Sequence, residues 1–181
     1  MKSVMTKIWG LCVFTLAAFM FICPTSVRAD ETTNSKLVEE YGEPIEVNSY
    51  IDEDGNEITE SIYFKPDLNV CGKARSSSGA GWFVNEKKFT WDNGKKTVYN
   101  VAGYFMWDDD FVDIGEISYG YGYLPDGATV TDENIDAGTG RYAYIFNKYA
   151  YVTYSFTLTT PIGIKHDLSV TLRVSESGNT I

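Results

Sequence analysis

YAYVTYSFTL, residues 149–158, and DLSVTLRV, residues 167–174, are joined by a longer connection, TTPIGIKH, residues 159–166. Apolar and polar side chains alternate through both segments, and this is the period of a β-strand with one buried face. The apolar positions are predicted to form one side of a core, and they are Ala150, Val152, Tyr154, Phe156, Leu158, Leu168, Val170, Leu172 and Val174. Each of the larger side chains contributes roughly 1.5 to 3 kcal/mol when it is fully buried.

Strand signals of the same kind recur from residue 45 onward, and turn sequences separate them. The segment DNGK, residues 92–95, is typical of a tight β-hairpin turn, and DEDGNE, residues 52–57, also indicates a hairpin. No long window has the apolar period of an amphipathic helix. We therefore predict an all-β fold, an antiparallel β-sandwich of the immunoglobulin or jelly-roll kind, with a small β-barrel as the alternative.

The N-terminus has the pattern of an export signal. Lys2 and Lys7 lie at a basic start, an uncharged apolar run follows over residues 8–22, and the small residues Val27 and Ala29 suit a signal peptidase. We expect a signal-peptide helix that is cleaved after Ala29, so that the mature protein is secreted and extracellular. Contact with a membrane is then limited to the transient signal peptide. An uncleaved anchor is the alternative.

The predicted cleavage divides the chain into three parts. Residues 1–29 are the signal peptide, residues 30–44 a flexible polar leader and residues 45–181 a single β-sandwich domain. One or two helical turns are expected within the leader, before Gly42 and Pro44.

Charge excludes two classes of partner. Cleavage removes three of the 15 basic residues and none of the 25 acidic ones, which changes the net charge from −10 to −13. Phosphate backbones and anionic lipid headgroups repel so acidic a chain, so we expect no nucleic-acid partner and no membrane lysis. The mature length is sufficient for a single domain with a core of its own.

Cysteine usage indicates a fold without disulfides. Cys12 and Cys23 lie in the signal peptide, so Cys71 is the single cysteine expected in the mature chain. One cysteine makes neither an internal disulfide nor a cysteine-based zinc site. We expect Cys71 to lie under a loop. The alternative is a Cys71-linked dimer of a structural, self-associating surface protein, since export leads to an oxidising compartment.

The acidic segments favour turns over metal sites. Residues 52–63 begin like a calcium loop, but Glu57 replaces the glycine of its sharp turn and Tyr63 replaces its closing glutamate. A second acidic group could offer oxygens to a hard cation, and it consists of Asp108, Asp110 and Asp113. A solvated acidic turn is the interpretation that we favour for both, so we predict no metal.

Catalytic motifs are missing from the sequence. His166 is the single histidine, and no nucleophile elbow or catalytic cysteine pattern accompanies it. Two carboxylates held across a bond would suffice for glycoside hydrolysis, with Glu86 and Glu116 as candidates. We predict a protein without catalytic activity or cofactor. A small secreted carboxylate-dependent hydrolase is the alternative.

Tyrosine is the most informative residue type. The mature chain has 13 Tyr against 7 Phe and 3 Trp, and a tyrosine ring combines an apolar face with a polar rim. In the segment YGYGY, residues 119–123, the parity of neighbouring residues favours an inward position for Tyr119, Tyr121 and Tyr123, although a glycine bulge would reverse it.

Alternation in the last two strands gives the predicted binding site. The side chains opposite the core positions point outward, and they include Tyr149, Tyr151 and Arg173 among many serines and threonines. Rigid tyrosines among small hydroxyl residues are typical of recognition surfaces. We therefore predict that this face binds a carbohydrate or a cell-surface protein through Tyr149, Tyr151 and Arg173.

Overall fold

The computed structural model describes residues 33–69, 78–91, 94–108, 111–141 and 148–181. These residues form one short helix and eight strands. The elements are α1 (Thr33–Tyr41), β1 (Glu46–Ile51), β2 (Glu57–Pro66), β3 (Gly79–Thr90), β4 (Lys96–Asp108), β5 (Phe111–Tyr123), β6 (Thr129–Arg141), β7 (Lys148–Thr159) and β8 (Lys165–Ser175). In this part of the chain no helix has the length and apolar character needed to cross a bilayer.

The strands form two antiparallel sheets, as predicted for an all-β chain. One sheet has the order β1-β2-β3-β4-β5 and the other the order β6-β7-β8. Immunoglobulin and jelly-roll folds contain Greek-key crossovers. Among the described strands all hydrogen-bonded neighbours are consecutive, so that part of the prediction is wrong. The barrel alternative is wrong too, because these strands do not close into a barrel. Short connections favour this arrangement, since they join antiparallel neighbours directly.

The core lies between the two sheets. All nine side chains predicted from the alternation in β7 and β8 are buried, which confirms that prediction. The five-stranded sheet contributes a matching set, which includes Phe83, Tyr99, Val101, Phe105 and Val112. Aromatic rings meet edge to face across the interface, with the centroids of Tyr99 and Phe156 5.2 Å apart. This packing fixes which face of the three-stranded sheet points away from the core.

The two predicted hairpins are present. In the β1–β2 turn, one carboxylate oxygen of Asp52 accepts the backbone N–H groups of Asp54 and Asn56, at 3.0 and 2.8 Å. The Asn56 side-chain amide also donates to Asp52, and this bond contributes most to lowering the pKa of Asp52. The β3–β4 hairpin is confirmed by the pairing of Thr90 with Lys96. Residues 92–93 of its turn are not among the described residues.

The tyrosines of β5 do not all share one face. Tyr119 and Tyr121 point towards the core, with ring centroids 4.8 Å from Tyr154 and 6.4 Å from Phe156. A register shift then places Tyr123 opposite Val98. Because Val98 alternates with the core residue Tyr99, Tyr123 takes the other face. The inward prediction is therefore confirmed for Tyr121. Tyr119 takes the same face but stays 49 % exposed at its edge. The prediction is wrong for Tyr123, because a bulge changes parity.

Helix α1 lies on the outer face of the five-stranded sheet. Its apolar side chains are Leu37, Val38 and Tyr41. They pack on a small outer cluster of Tyr63, Val84 and Ala102. The helical turns expected before Gly42 thus belong to α1, and Gly42 closes the helix with a φ of 85° and an N–H bond to the carbonyl of Val38. The mobility of residues 30–44 stays a prediction.

The exposed edge of β8 is covered by side chains from the other sheet. The Asn85 amide donates to the carbonyl of Thr171 at 2.8 Å, and the Lys87 ammonium donates to the carbonyl of Ser169 at 3.3 Å. Inward-pointing polar and charged residues of this kind block edge-to-edge pairing. Lys87 also pairs with Glu60 at 3.0 Å. These bonds hold the three-stranded sheet at a fixed position on the larger one.

Candidate functional site

The predicted site residues lie on the outer face of the three-stranded sheet. Side chains along β7 alternate between buried and half-buried, and Tyr149 and Tyr151 belong to the half-buried set. Their rings lie side by side, with centroids 6.2 Å apart. The outward orientation predicted for this pair is therefore confirmed.

The two rings lie across glycines of the neighbouring strand β6. Tyr151 is opposite Gly138, and Tyr149 is opposite Gly140. A Cβ atom added to Gly140 would come within 2.5 Å of the Tyr149 hydroxyl oxygen, whereas one added to Gly138 would stay 3.5 Å from Tyr151. An aromatic ring over a cross-strand glycine shields backbone that would otherwise be bare. We call Tyr149, Tyr151, Gly138 and Gly140 the tyrosine platform.

Charged groups flank the platform on both sides. The guanidinium carbon of Arg173 lies 5.8 Å from the Tyr149 ring centroid, within the range of a cation–π interaction. On the β6 side, the Tyr151 hydroxyl donates a 3.2 Å hydrogen bond to Asp136. The nearby negative charge of Asp136 raises the pKa of Tyr151, so the phenol stays a neutral donor. The structure thus brings Tyr149, Tyr151 and Arg173 together.

Hydroxyl groups continue the polar surface along the same face. Thr153 and Thr171 share a 2.9 Å hydrogen bond across β7 and β8, and the Thr157 hydroxyl donates to Asp167 at 2.8 Å. Cross-strand pairs of this kind order the side chains before any ligand arrives. The face can therefore offer two aromatic rings together with donors and acceptors of fixed position.

The two glutamates considered for hydrolysis lie two strands apart in the five-stranded sheet. Glu86 is buried on the outer face of the five-stranded sheet, one of its oxygens has no hydrogen-bond partner, and burial raises its pKa to about 7. Glu86 lies opposite Asn100 of β4, which lies opposite Gly120 of β5. Glu116 is exposed and lies in β5, four residues before Gly120. At about 4.8 Å per strand and 3.4 Å per residue, the two backbones are roughly 16 Å apart. Catalytic pairs have about 5 to 10 Å between their carboxyl groups, so these backbones suit a pair only if both side chains extend towards each other.

Other residues weighed from the sequence take no part in the platform. Cys71 and Asp110 lie outside the described residues. Among the described residues, no group of three histidine, cysteine, aspartate or glutamate side chains is placed to hold a metal ion. His166 is part of β8 and not of the preceding connection. Its ring packs against Trp91 with centroids 4.2 Å apart, so its role there is packing.

A cleft beside the platform was not predicted. It has a volume of about 520 Å³ and is lined by Phe111, Val112, Asp113, Thr139, Gly140 and Lys148. These residues come from the start of β5, the end of β6 and the start of β7. A register shift between Gly103 and Phe105 lets Val112 point inward, and Phe111 stays exposed. Only the strand register could have revealed the cleft.

Comparison with known proteins adds no functional assignment. No family model, no curated protein and no solved structure matches the chain.

Proposed function

We propose that the protein is an exported, non-catalytic β-sandwich module that binds a glycan on the tyrosine platform. The observation that carries the proposal is the fixed pair of rings, 6.2 Å apart and seated on Gly138 and Gly140. This spacing is comparable to the length of one sugar unit in an extended chain. Neighbouring sugars of a linear glycan could therefore stack on Tyr149 and Tyr151 in turn.

The chemistry around the rings suits a sugar. A sugar ring has a flat C–H face and a rim of hydroxyl groups, so it calls for an apolar surface bordered by hydrogen-bond partners. Asp136 accepts and Arg173 donates at the border of the platform. Because the glycines and cross-strand bonds already hold the rings, little side-chain entropy is lost on binding.

A direct test compares glycan binding by the wild-type protein and by a Tyr149→Ala, Tyr151→Ala double variant. A glycan array identifies a ligand, and titration calorimetry then measures Kd. Loss of two stacking contacts of about 1 kcal/mol each should weaken binding roughly thirtyfold. Tyr50→Ala is the matched control, because Tyr50 is an exposed tyrosine of β1, on the other sheet. Equal affinities of the wild type and the double variant would refute the proposed site.

The alternatives give different results. A protein-binding platform would show no glycan on the array but would capture a partner that the double variant loses. A carboxylate-dependent hydrolase would release reducing sugar ends, and Glu86→Gln would abolish that release. A self-associating protein linked through Cys71 would run as a dimer on a non-reducing gel.

A further inference from the structure

The cleft is close enough to the tyrosine platform to belong to the same site. Gly140 lines the cleft and also lies beneath the Tyr149 ring. Lys148 also lines the cleft, and because it directly precedes Tyr149 in β7, its side chain points to the inner face of the sheet. Because β6 is an edge strand, a ligand stacked on Tyr149 reaches the cleft by passing over Gly140. The volume of about 520 Å³ lies in the usual range for small-molecule sites.

The cleft lining combines one aromatic ring with opposite charges. Phe111 is 47 % exposed and offers a ring at the mouth, while the buried Val112 forms part of the wall. Asp113 is fixed by a 2.9 Å hydrogen bond from the backbone N–H of Ile114 to its carboxylate. Thr139 adds a hydroxyl group, and Lys148 adds an ammonium group.

Lys148 is well placed to bind an anion. Its backbone is held by the Glu176 side chain, which accepts the Lys148 N–H at 2.6 Å. Among the described residues, the ion pair with an N···O distance of 4 Å or less joins Lys87 and Glu60. The Lys148 ammonium therefore has no carboxylate partner among these residues. The Arg173 guanidinium lies at the Tyr149 ring, on the outer face of the sheet. Because neighbouring side chains of a strand point to opposite faces, Lys148 and Arg173 lie on opposite sides of the three-stranded sheet, with Arg173 at the Tyr149 ring and Lys148 in the cleft.

We propose that the cleft and the platform together bind an acidic glycan, whose carboxylate-bearing sugar unit enters the cleft and pairs with Lys148. This inference rests on the proposed function and names its ligand class. Phe111 stacks on the acidic sugar, and Asp113 and Thr139 bind its hydroxyl groups. The ligand is a short or sparsely charged chain, because a protein of net charge −10 repels a dense polyanion at a distance.

Titration calorimetry tests the inference with two oligosaccharides of equal length, one neutral and one with a single uronic-acid unit at its end. The wild type should bind the acidic sugar about fivefold more tightly, as expected for one partly shielded ion pair. In Lys148→Gln the ratio of the two affinities should fall towards one, and in Lys148→Arg it should be kept. Circular dichroism checks that each variant is folded.

Lys165→Gln is the matched control. Lys165 is an exposed lysine on β8, eight residues from Arg173 and thus about 26 Å along the strand. Its substitution should leave both affinities unchanged. A wild type that binds the two sugars equally, or a preference that survives in folded Lys148→Gln, overturns the inference and leaves the proposed function standing. A wild type that binds neither sugar refutes both.

Discussion

The sharpest test of the platform substitutes its two glycines, which have no side chain to contact a ligand. In Gly140→Ala, the new Cβ would lie 2.5 Å from the Tyr149 hydroxyl oxygen, where ordinary contacts need 3.4 Å or more. The ring must therefore shift by about 1 Å or swing off the sheet. In Gly138→Ala, the Cβ would lie 3.5 Å from Tyr151, so that ring can stay in place. The two substitutions are chemically identical and differ only in this clearance.

The expected magnitudes follow from what each variant disturbs. A displaced Tyr149 ring loses most of one stacking contact, which is about 1 kcal/mol or fivefold in Kd. Stability should change by less than about 1 kcal/mol, because the atoms in the way belong to the far end of a side chain and alanine suits a strand better than glycine does. Gly138→Ala should change the binding free energy and the free energy of unfolding by no more than about 0.5 kcal/mol each.

Titration calorimetry with a bound glycan and thermal unfolding provide the two readouts. Near-ultraviolet circular dichroism reports the altered environment of the tyrosine in Gly140→Ala. The reasoning would be refuted if Gly140→Ala bound as tightly as the wild type while its tyrosine signal changed. It would also be refuted if both glycine variants lost affinity equally, because clearance would then not be the cause.

Three further measurements test other parts of the structure. Burial raises the pKa of Glu86 from 4.5 to about 7. Between these values the folded protein keeps a proton that the unfolded chain releases. The free energy of unfolding should therefore fall as the pH rises from 4.5 to 7, by at most roughly 3 kcal/mol. Glu86→Gln should remove this dependence in denaturant titrations at pH 4.5 and pH 8. Gly178→Ala should lower Tm by several degrees, because Gly178 has a φ of 75° and its added Cβ would lie 2.5 Å from the Trp107 indole nitrogen. Tyr154→Phe should cost about 1 kcal/mol in the same assay by losing the 2.8 Å hydrogen bond to Glu133, and a stability equal to that of the wild type would contradict this assignment.

Local alternation was enough to predict much of the fold. The core face of β7 and β8 follows from a period of two that continues without a bulge through Ala150 to Leu158 and through Leu168 to Val174. The outward position of Tyr149 and Tyr151 follows from the same pattern. These predictions need no knowledge of which strand lies next to which.

Other features depend on contacts that sequence spacing does not reveal. The seat of Tyr149 on Gly140 requires the register of β6 against β7, and the bond from Asn85 to Thr171 joins residues 86 positions apart. Bulges have a similar effect, because the shift near Gly122 moves Tyr123 to the opposite face from Tyr121. Strand order in the sheets, and with it the absence of a Greek key among the described strands, also depends on pairing.

The position of the platform follows from how the layers are covered. The inner faces of the two sheets form the common core, and α1 packs on the outer face of the five-stranded sheet over Tyr63 and Val84. The outer face of the three-stranded sheet carries polar and aromatic side chains whose cross-strand pairs contribute about 0.2 to 1 kcal/mol each, against roughly 1.5 to 3 kcal/mol for each large core residue. Substitutions on this face can therefore change binding while the fold persists. For this reason, a variant of Tyr149 or Tyr151 that loses its ligand at an unchanged Tm identifies a binding defect and not an unfolded protein.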